Sequence, residues 1–486
     1  MRICLVNAPW EENDRWGIRA GCRFPNLMIK HTNSYVPFPF LLAYTASCLE
    51  QRGHEVLLVD GVAERTTVEK FCAGITGFAP DLIIAETSTT SMAFDLAVLA
   101  HHRKMHRKVH IAVYGPHASA RPQDLLTGVV DSVMRGEPEL TTVALAEALS
   151  DGRDLRTVPG LVLHDDKGNL IETDNPQVVN DIDALPYPKR QGLPMEHYAV
   201  PGFPAPTVFM YGSRGCPFKC NFCLWPQTLY DGTAYRPRAP EKIADEIAYV
   251  LRNWPTTRSI FFDDDTFNIG RKRLMAFANA LEARAIRIPW GMNARADHWD
   301  EELLRCLRDT GLFTLRIGIE SGDPDVLRRC GKDIDLGEAR AMLLMSDRLG
   351  IQNHLSFVIG LPGETRQSIE NTIRFIRSVP AASIQFSVAV PFPGTAFYRD
   401  VEKAGHLISR DWSQYSGHDR AVMRTDALSP QQILEAVTHA RRRTYFSARF
   451  ILRRLRYLRD LRDLQAIIRK GLLLLGLPHW AEYRHR

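Results

Sequence analysis

Short apolar runs of four to eight residues, each followed by a stretch of helical periodicity, recur along this chain in two separate series. That rhythm calls for parallel strands joined by helices. In the first series the expected strands are 2–9, 55–60, 81–87, 110–115 and 131–136. The expected helices are an amphipathic one over 41–54, closed by Gly53, and others over 68–75, 94–104 and 139–149. The fold class is therefore α/β, with residues 1–150 forming a Rossmann-like, doubly wound domain. Ligands of such sheets sit outside the carboxyl ends of the strands. Residues 151–205 read as a linker containing a β-hairpin (158–173, turning at 166–169), and its prolines keep 184–190 extended.

The second series, within residues 206–400, has candidate strands at 207–213, 259–265, 288–294, 312–321, 353–360 and 383–390. Helices are expected between them, for example over 241–254 and 366–379. Six such units are too few for a closed eight-stranded barrel. After about residue 407 the rhythm stops, and 401–486 reads as a basic helical region.

The first strand of the second series leads through GSRG into CPFKCNFC, which sets Cys216, Cys220 and Cys223 in a C-x3-C-x2-C array. Three thiolates this close can hold three irons of a 4Fe–4S cluster, which usually takes four cysteines. No fourth follows nearby; the next is Cys306. The fourth iron is then open to a substrate-like ligand, as a catalytic metal site keeps one position free. A zinc site needs a fourth Cys or His, and no histidine lies between His197 and His298. A disulfide with a spare thiol would suit a secreted chain, but MRICLVNAPW has neither the basic start nor the long apolar stretch of a signal peptide. Nine cysteines without that signal point to a reducing cytoplasm. Cys4, Cys22, Cys48, Cys72, Cys306 and Cys330 lack ligand spacing and read as core or loop thiols.

The array resembles the signature of the radical S-adenosylmethionine (SAM) enzymes, and the resemblance runs from about Thr207 to Tyr398. It implies a partial (β/α)6 TIM-like barrel with its chemistry at the carboxyl ends of the strands. It also implies that Cys216, Cys220 and Cys223 are catalytic through the cluster, on which SAM is cleaved to a 5′-deoxyadenosyl radical. RIGIESG (316–322) places Glu320 and Ser321 at the fourth strand end, where the family contacts the amino group and ribose of SAM; a carboxylate suits an ammonium group. FVIGLPGET (357–365) ends the fifth strand with Gly360, Pro362 and Gly363, which let backbone approach the adenine. Phe222, inside the cysteine array, joins this SAM-binding set. FFDDDTF (261–267), NARAD (293–297) and PFPGTAFY (391–398) end the other strands, and YRPR (235–238) follows the cysteine loop. Each fragment alone is weak: Asp263, Asp264 and Asp265 could be a solvated strand end or a helix start. Their joint order is the signal.

The first domain resembles the cobalamin-binding domain found ahead of many such barrels. The carrying residues are GPHASARP (115–122), RGEPE (135–139) and TSTTS (87–91). The resemblance implies cobalamin contacts from Thr87, Ser88, Gly115, His117, Gly136 and Glu137, with the hydroxyls facing the nucleotide tail. A response regulator would want a phosphoacceptor Asp after the third strand, where this chain has ETSTTS. A nicotinamide-binding domain would want G-x-G-x-x-G after the first, where NAPWEEND has no glycine. The D-x-H-x-x-G motif that supplies a lower cobalt ligand in cobalamin mutases is absent. The long loop 8–40 contains only His31 as a substitute, and His117 contacts the corrin or tail or only stabilises its turn.

A net charge of +5 does not argue for nucleic acid, and no apolar run is long enough to span a bilayer. Residues 441–470 carry eleven Lys/Arg against two Asp, with apolar residues at near-helical spacing. Such a helix can lie on an anionic membrane surface; packing over the barrel with a solvated basic face is the favoured alternative. The implied cofactors are the 4Fe–4S cluster, SAM and cobalamin. The implied partners are a small-molecule or lipid-like substrate and an external electron donor of the flavodoxin or ferredoxin type. The implied location is cytoplasmic, with or without peripheral membrane contact. CLWPQ (223–227), YRPR and FFDDDTF look most like the anaerobic magnesium-protoporphyrin monomethyl ester cyclases and a hopanoid-associated ring-forming relative. Hydrogen abstraction from an unactivated carbon is the common chemistry. C-methylation in secondary-metabolite or lipid biosynthesis is favoured over ring closure or rearrangement without methyl transfer. A redox or cobalamin sensor that turns nothing over is the alternative outside catalysis.

Overall fold

The structure, a computed structural model, describes residues 1–12, 15–21, 23, 25–29, 35–230 and 232–456. Seven strands form the first sheet: β1 (Arg2–Asn7), β2 (Glu55–Asp60), β3 (Leu82–Glu86), β4 (His110–Tyr114), β5 (Ser132–Met134), β6 (Leu161–His164) and β7 (Leu170–Glu172). Their order is β7-β6-β5-β4-β3-β1-β2. β1 to β5 are parallel and β6 and β7 antiparallel. The parallel strands are near-continuous apolar runs because helices cover both their faces. The hairpin expected in the linker is instead part of this sheet: Ser132, Val133 and Met134 pair with Leu163, Val162 and Leu161. Inside the loop expected over 8–40, three short antiparallel strands, Glu11–Glu12, Arg15–Ile18 and Asn26–Ile29, form a sheet of their own.

The helix Phe40–Gln51 corrects the expectation of amphipathicity. Phe40 to Ser47 are all buried, so the helix is covered on every face of its first two turns. It lies between the two domains: Phe40 stacks on Tyr211 of the barrel at 3.8 Å, while its other side packs on the helix Pro138–Asp151.

The second sheet is β8 (Thr207–Met210), β9 (Ser259–Phe262), β10 (Trp290–Ala294), β11 (Leu312–Glu320), β12 (Gln352–Ile359) and β13 (Ser383–Val388), paired in parallel in chain order. This is an open six-stranded barrel. On β11, Leu315, Ile317 and Ile319 point into the helical layer and are fully buried, while Arg316, Gly318 and Glu320 share the opposite, inner face. β12 and β13 alternate likewise, with Ser356, Gln385 and Ser387 inward.

Beyond the barrel the chain is less helical than expected. Residues 405–429 form an irregular strap, apart from one short turn at Trp412–Gln414, before the helices Pro430–Tyr445 and Ala448–Arg456. The strap crosses back to the first domain: Trp412 Nε1 donates to Asp124 (3.2 Å) and Thr90 Oγ1 to the Tyr415 carbonyl (3.1 Å). The last described helix packs over the barrel, with Arg449 donating to the Arg377 carbonyl and Arg453 paired with Asp347. Residues 457–486, the remainder of the basic tail, lie outside the described residues. No described helix is long and apolar enough to cross a membrane.

A buried ionic quartet bolts the domains together. Arg214, two residues before Cys216, is fully buried and donates to Glu137 (3.0 Å) and Glu139 (2.6 Å), which begin the first domain's last helix. Arg236 completes it on both oxygens of Glu137 (2.6 and 3.1 Å). Burial pulls the Glu137 carboxyl upward, but the two arginines outweigh it and hold it below its ordinary value. Removing one partner from such a group leaves charge uncompensated. Arg214→Met is therefore expected to destabilise by about 3 kcal/mol or more, measured as lost thermal stability; an unchanged melting temperature would refute the bolt.

Candidate functional site

The site gathers at the carboxyl ends of the barrel strands. β8 ends at Met210, and the chain leaves it through Gly212 and Ser213, whose N–H and hydroxyl both bind Asp264 (2.9 Å from Gly212 N). Gly215 follows with φ +80°; a Cβ there would lie 2.0 Å from the Ala234 carbonyl oxygen. This turn delivers Cys216, Cys220 and Cys223 into one loop, all as free, partly buried thiols. Gln227 secures the loop from below: its amide N–H2 donates to the carbonyls of Cys220 (3.4 Å), Asn221 (3.0 Å) and Cys223 (2.7 Å), and its oxygen accepts from Ala396 N (2.8 Å). Asn221 N–H binds the Cys330 carbonyl (2.9 Å), so the loop is tied to the segment after β11 as well.

The three thiols suit a cluster better than one ion. Among the described residues no three His, Cys, Asp or Glu side chains converge on a single metal position; in a cubane each thiolate binds a separate iron. Burial pushes the Cys216 thiol up to about 11, and the charges of Asp265 and Cys220 push the same way. Burial also raises Cys220, with Lys332 and Arg295 opposing it. Iron cations would supply the positive charge that three neighbouring thiolates need.

Glu320 stands at the end of β11 with φ +70°, next to a register shift between Gly318 and Glu320. Its Oε1 accepts from Lys332 Nζ at 2.8 Å, and its Oε2 has no hydrogen bond among the described residues. Gly318 makes the room: a Cβ there would lie 2.3 Å from Glu320 Oε1 and 2.9 Å from Lys332 Nζ. This cradle fits the amino group of SAM. Ser321 follows directly in the chain. It is fully buried, its hydroxyl pairs with Thr372 (3.2 Å) and accepts from Asp323 N (3.2 Å), so its side chain braces the turn.

Gly360 (φ +100°) and Gly363 (φ +77°) bracket Pro362 in a tight turn after β12. A Cβ on Gly363 would lie 2.4 Å from Arg329 Cδ. Glu364 closes the turn by accepting from Gly360 N, and burial pushes its carboxyl up to about 8. Phe222 packs against the small apolar cluster that contains Leu361 of this turn.

The three aspartates are not a solvated strand end. Asp263 and Asp265 hold Arg23, from the segment before the Phe40–Gln51 helix, at 3.0 and 2.8 Å. Arg23 also lies 4.7 Å from the Trp225 ring. Asp264 clamps the exit of β8, and burial raises it to about 7.

At the strand ends of the first domain the residues expected to contact cobalamin have partners within the protein. Thr87 donates to Asp95 (2.9 Å), and Ser88 pairs with Ser91 (2.9 Å), so both hydroxyls are engaged inside their loop. Glu137 belongs to the quartet, its carboxylate committed to two arginines. His117 is fully buried between Thr89 (3.1 Å) and Asp124 (3.3 Å), with Trp412 5.4 Å away, which is the turn-stabilising alternative. Gly115 (φ +140°) approaches the Thr87 carbonyl so closely that a Cβ would lie 2.1 Å away. Gly136 (φ +70°) donates to Ser119 Oγ at 2.9 Å. His31 lies outside the described residues, as does Cys22. Between the domains, Trp225 Nε1, Tyr211 Oη and Tyr230 Oη are buried without hydrogen-bond partners among the described residues. Such donors suit a cofactor fringed with amides, as cobalamin is.

Gln227, Lys332, Glu364, Arg23 and Arg214 escaped the sequence reading as site residues. Gln227 and Glu364 lie inside motifs quoted for other residues, while Lys332 and Arg23 meet their partners only through the fold. Two outcomes follow. Gln227→Glu would set a carboxylate against three carbonyls; reconstituted protein is expected to hold well under half the wild-type iron per chain at unchanged circular dichroism. The Glu364 carboxyl, raised from 4.5 to about 8, binds a proton in the folded chain that the unfolded chain has released. Its contribution to stability is therefore lost as pH rises through that window. Glu364→Gln should gain on the wild type by a few degrees in melting temperature between about pH 5 and pH 9; parallel curves would exclude it.

The comparisons with known proteins agree with this geometry. The radical SAM superfamily matches residues 210–376, and the B12 binding domain matches residues 29–146. An uncharacterised methyltransferase of Pyrococcus horikoshii is 31% identical over 405 residues, covering 83% of this chain and 86% of that protein. The anaerobic magnesium-protoporphyrin IX monomethyl ester cyclase of Rubrivivax gelatinosus is 25% identical over 85% of this chain and 74% of its own. Among solved structures, the radical SAM methyltransferase TsrM from Kitasatospora setae, with cobalamin and a [4Fe–4S] cluster bound, superposes with a TM-score of 0.67. It is 17% identical and covers 83% of this chain and 75% of that one, a likeness of fold. With both family domains in one chain, and a relative above 30% identity over most of its length, this protein belongs to the cobalamin-binding radical SAM enzymes, whose cofactors are a 4Fe–4S cluster, SAM and cobalamin.

Proposed function

We propose that this enzyme methylates an unactivated carbon of a small molecule. The observation that carries the reading is the 31% identity to a methyltransferase over most of both chains, combined with a cysteine array bolted to a B12 domain. When bound, the three cofactors supply a carbon-centred radical and a transferable methyl group. Cys216, Cys220 and Cys223 hold the cluster. Glu320, its charge shared with Lys332, receives the amino group of SAM, and the Gly360–Gly363 turn with Phe222 receives the adenine. Gly115 and Gly136 offer backbone to the cobalamin, and Trp225, Tyr211 and Tyr230 offer donors to it.

Ring closure or rearrangement without methyl transfer is the second reading, favoured by the 25% identity to a cyclase. The setting proposed is cytoplasmic, with a flavodoxin- or ferredoxin-like electron donor. Phe446, Ile451 and Leu452, exposed beside basic residues, support peripheral contact with an anionic surface.

The deciding measurement uses SAM labelled in its methyl group. Reconstituted enzyme is expected to form 5′-deoxyadenosine and to leave label in the product, with both reduced to background in Cys220→Ala. A substrate-derived product free of label would establish the cyclase reading instead.

A further inference from the structure

The inner face of the barrel holds one cation that the roles above do not use. Arg316 stands on β11 with Gly318 and Glu320 on the same face. In register it lies between Asn293 of β10 and His354 of β12. Its guanidinium is 5.6 Å from the centre of the Tyr35 ring and 5.5 Å from that of Phe261. Phe209 continues this aromatic wall, 5.6 Å from Phe261 and 6.0 Å from Tyr35.

Three other cations around the strand ends have carboxylate partners. Arg23 has Asp263 and Asp265, Lys332 has Glu320, and Arg295 has Asp297 at 2.8 Å. Arg316 has neither a hydrogen bond nor an ion pair among the described residues. Asp263 feels its charge without touching it, being already bound to Arg23, Asn293 (2.8 Å) and Tyr35 (3.2 Å). A partly buried guanidinium with no carboxylate bonded to it is costly to maintain unless a ligand supplies one. Its planar fork suits a two-oxygen anion.

We infer that Arg316 seats an anionic oxygen group of the substrate, a carboxylate or a phosphate, with the adjoining flat or apolar part beside Tyr35. Four residues of strand separate it from Glu320, about 13 Å at the usual rise. The anion is thus held apart from the place assigned to SAM, and the carbon to be attacked lies between. The inference rests on the proposed role of Glu320 and on the radical chemistry only for this last step.

Isothermal titration of the reconstituted holoenzyme with phenylphosphonate, phenylacetate and the neutral phenylacetamide tests it. At least one anion is expected to bind, the amide at least about tenfold more weakly, and Arg316→Gln to lose the anion by a similar factor while Arg316→Lys keeps part of it. Which anion binds more tightly distinguishes a phosphate from a carboxylate substrate. SAM affinity and dithionite-driven 5′-deoxyadenosine formation are expected to stay within about twofold in Arg316→Gln. Equal binding to wild type and Arg316→Gln, no binding of either anion, or loss of SAM affinity in Arg316→Gln would overturn the inference. Arg316-dependent anion binding in an enzyme that forms no deoxyadenosine would instead sink the radical reading and leave the anion seat standing.

Discussion

Arg214 is buried two residues before the first cluster cysteine, and its guanidinium faces two carboxylates of the other domain. Taking three charges out of water is expensive, and an isolated pair in that position would barely break even. The group is tolerable because Arg236 makes it a neutral quartet, with the Val179 carbonyl accepting a further bond from Arg236 (2.7 Å). The same arginines close the short ribbon in which Ser213 and Arg214 pair with Pro237 and Arg236. One electrostatic group therefore positions the start of the cysteine loop, the return of the chain after it and the last helix of the B12 domain. A hydrophobic contact would hold the domains together, but it would not fix their register to the width of one guanidinium.

Two further pieces occupy the seam on either side of that bolt. The first two turns of the Phe40–Gln51 helix are buried on every side, as befits an element covered by both domains. The strap after the barrel closes the opposite side: Gly417 continues the edge of β13 by accepting from Val388 N (2.8 Å), while Trp412 and Tyr415 reach the first domain. The seam is thus tied on both sides of the bolt.

Much of this was legible in the sequence. Strand periodicity located all six barrel strands and the five parallel strands of the first sheet, because a strand buried on both faces is written as a short apolar run. The cysteine array announced its chemistry because the spacing itself makes the site. What stayed hidden was written in no local pattern. The hairpin's membership of the first sheet depends on an edge that only tertiary structure supplies. Arg23 meets Asp263 and Asp265 across some 240 positions of chain, and Lys332 meets Glu320 around a turn and a short helix. Glu137 illustrates the opposite failure: its motif is real, but its carboxylate answers to Arg214 and Arg236. The hydroxyls of TSTTS had the right chemistry for a nucleotide tail and were already taken by Asp95, Ser91 and His117.

Glu320 shows how local strain and function meet in this fold. A non-glycine residue at φ +70° costs of order 1–2 kcal/mol. The register shift beside it interrupts the ladder to β12 at the same point. Bulges of this kind re-aim a side chain at the end of a strand. Here the kink turns the carboxylate toward the lumen, where Lys332 meets it, and the surroundings hold the kink in place: Gly318 leaves the space, and Thr372 binds Gly322 N (2.8 Å) just beyond it. The strain is thus stored at the strand end where the carboxylate meets Lys332 on the inner face of the barrel.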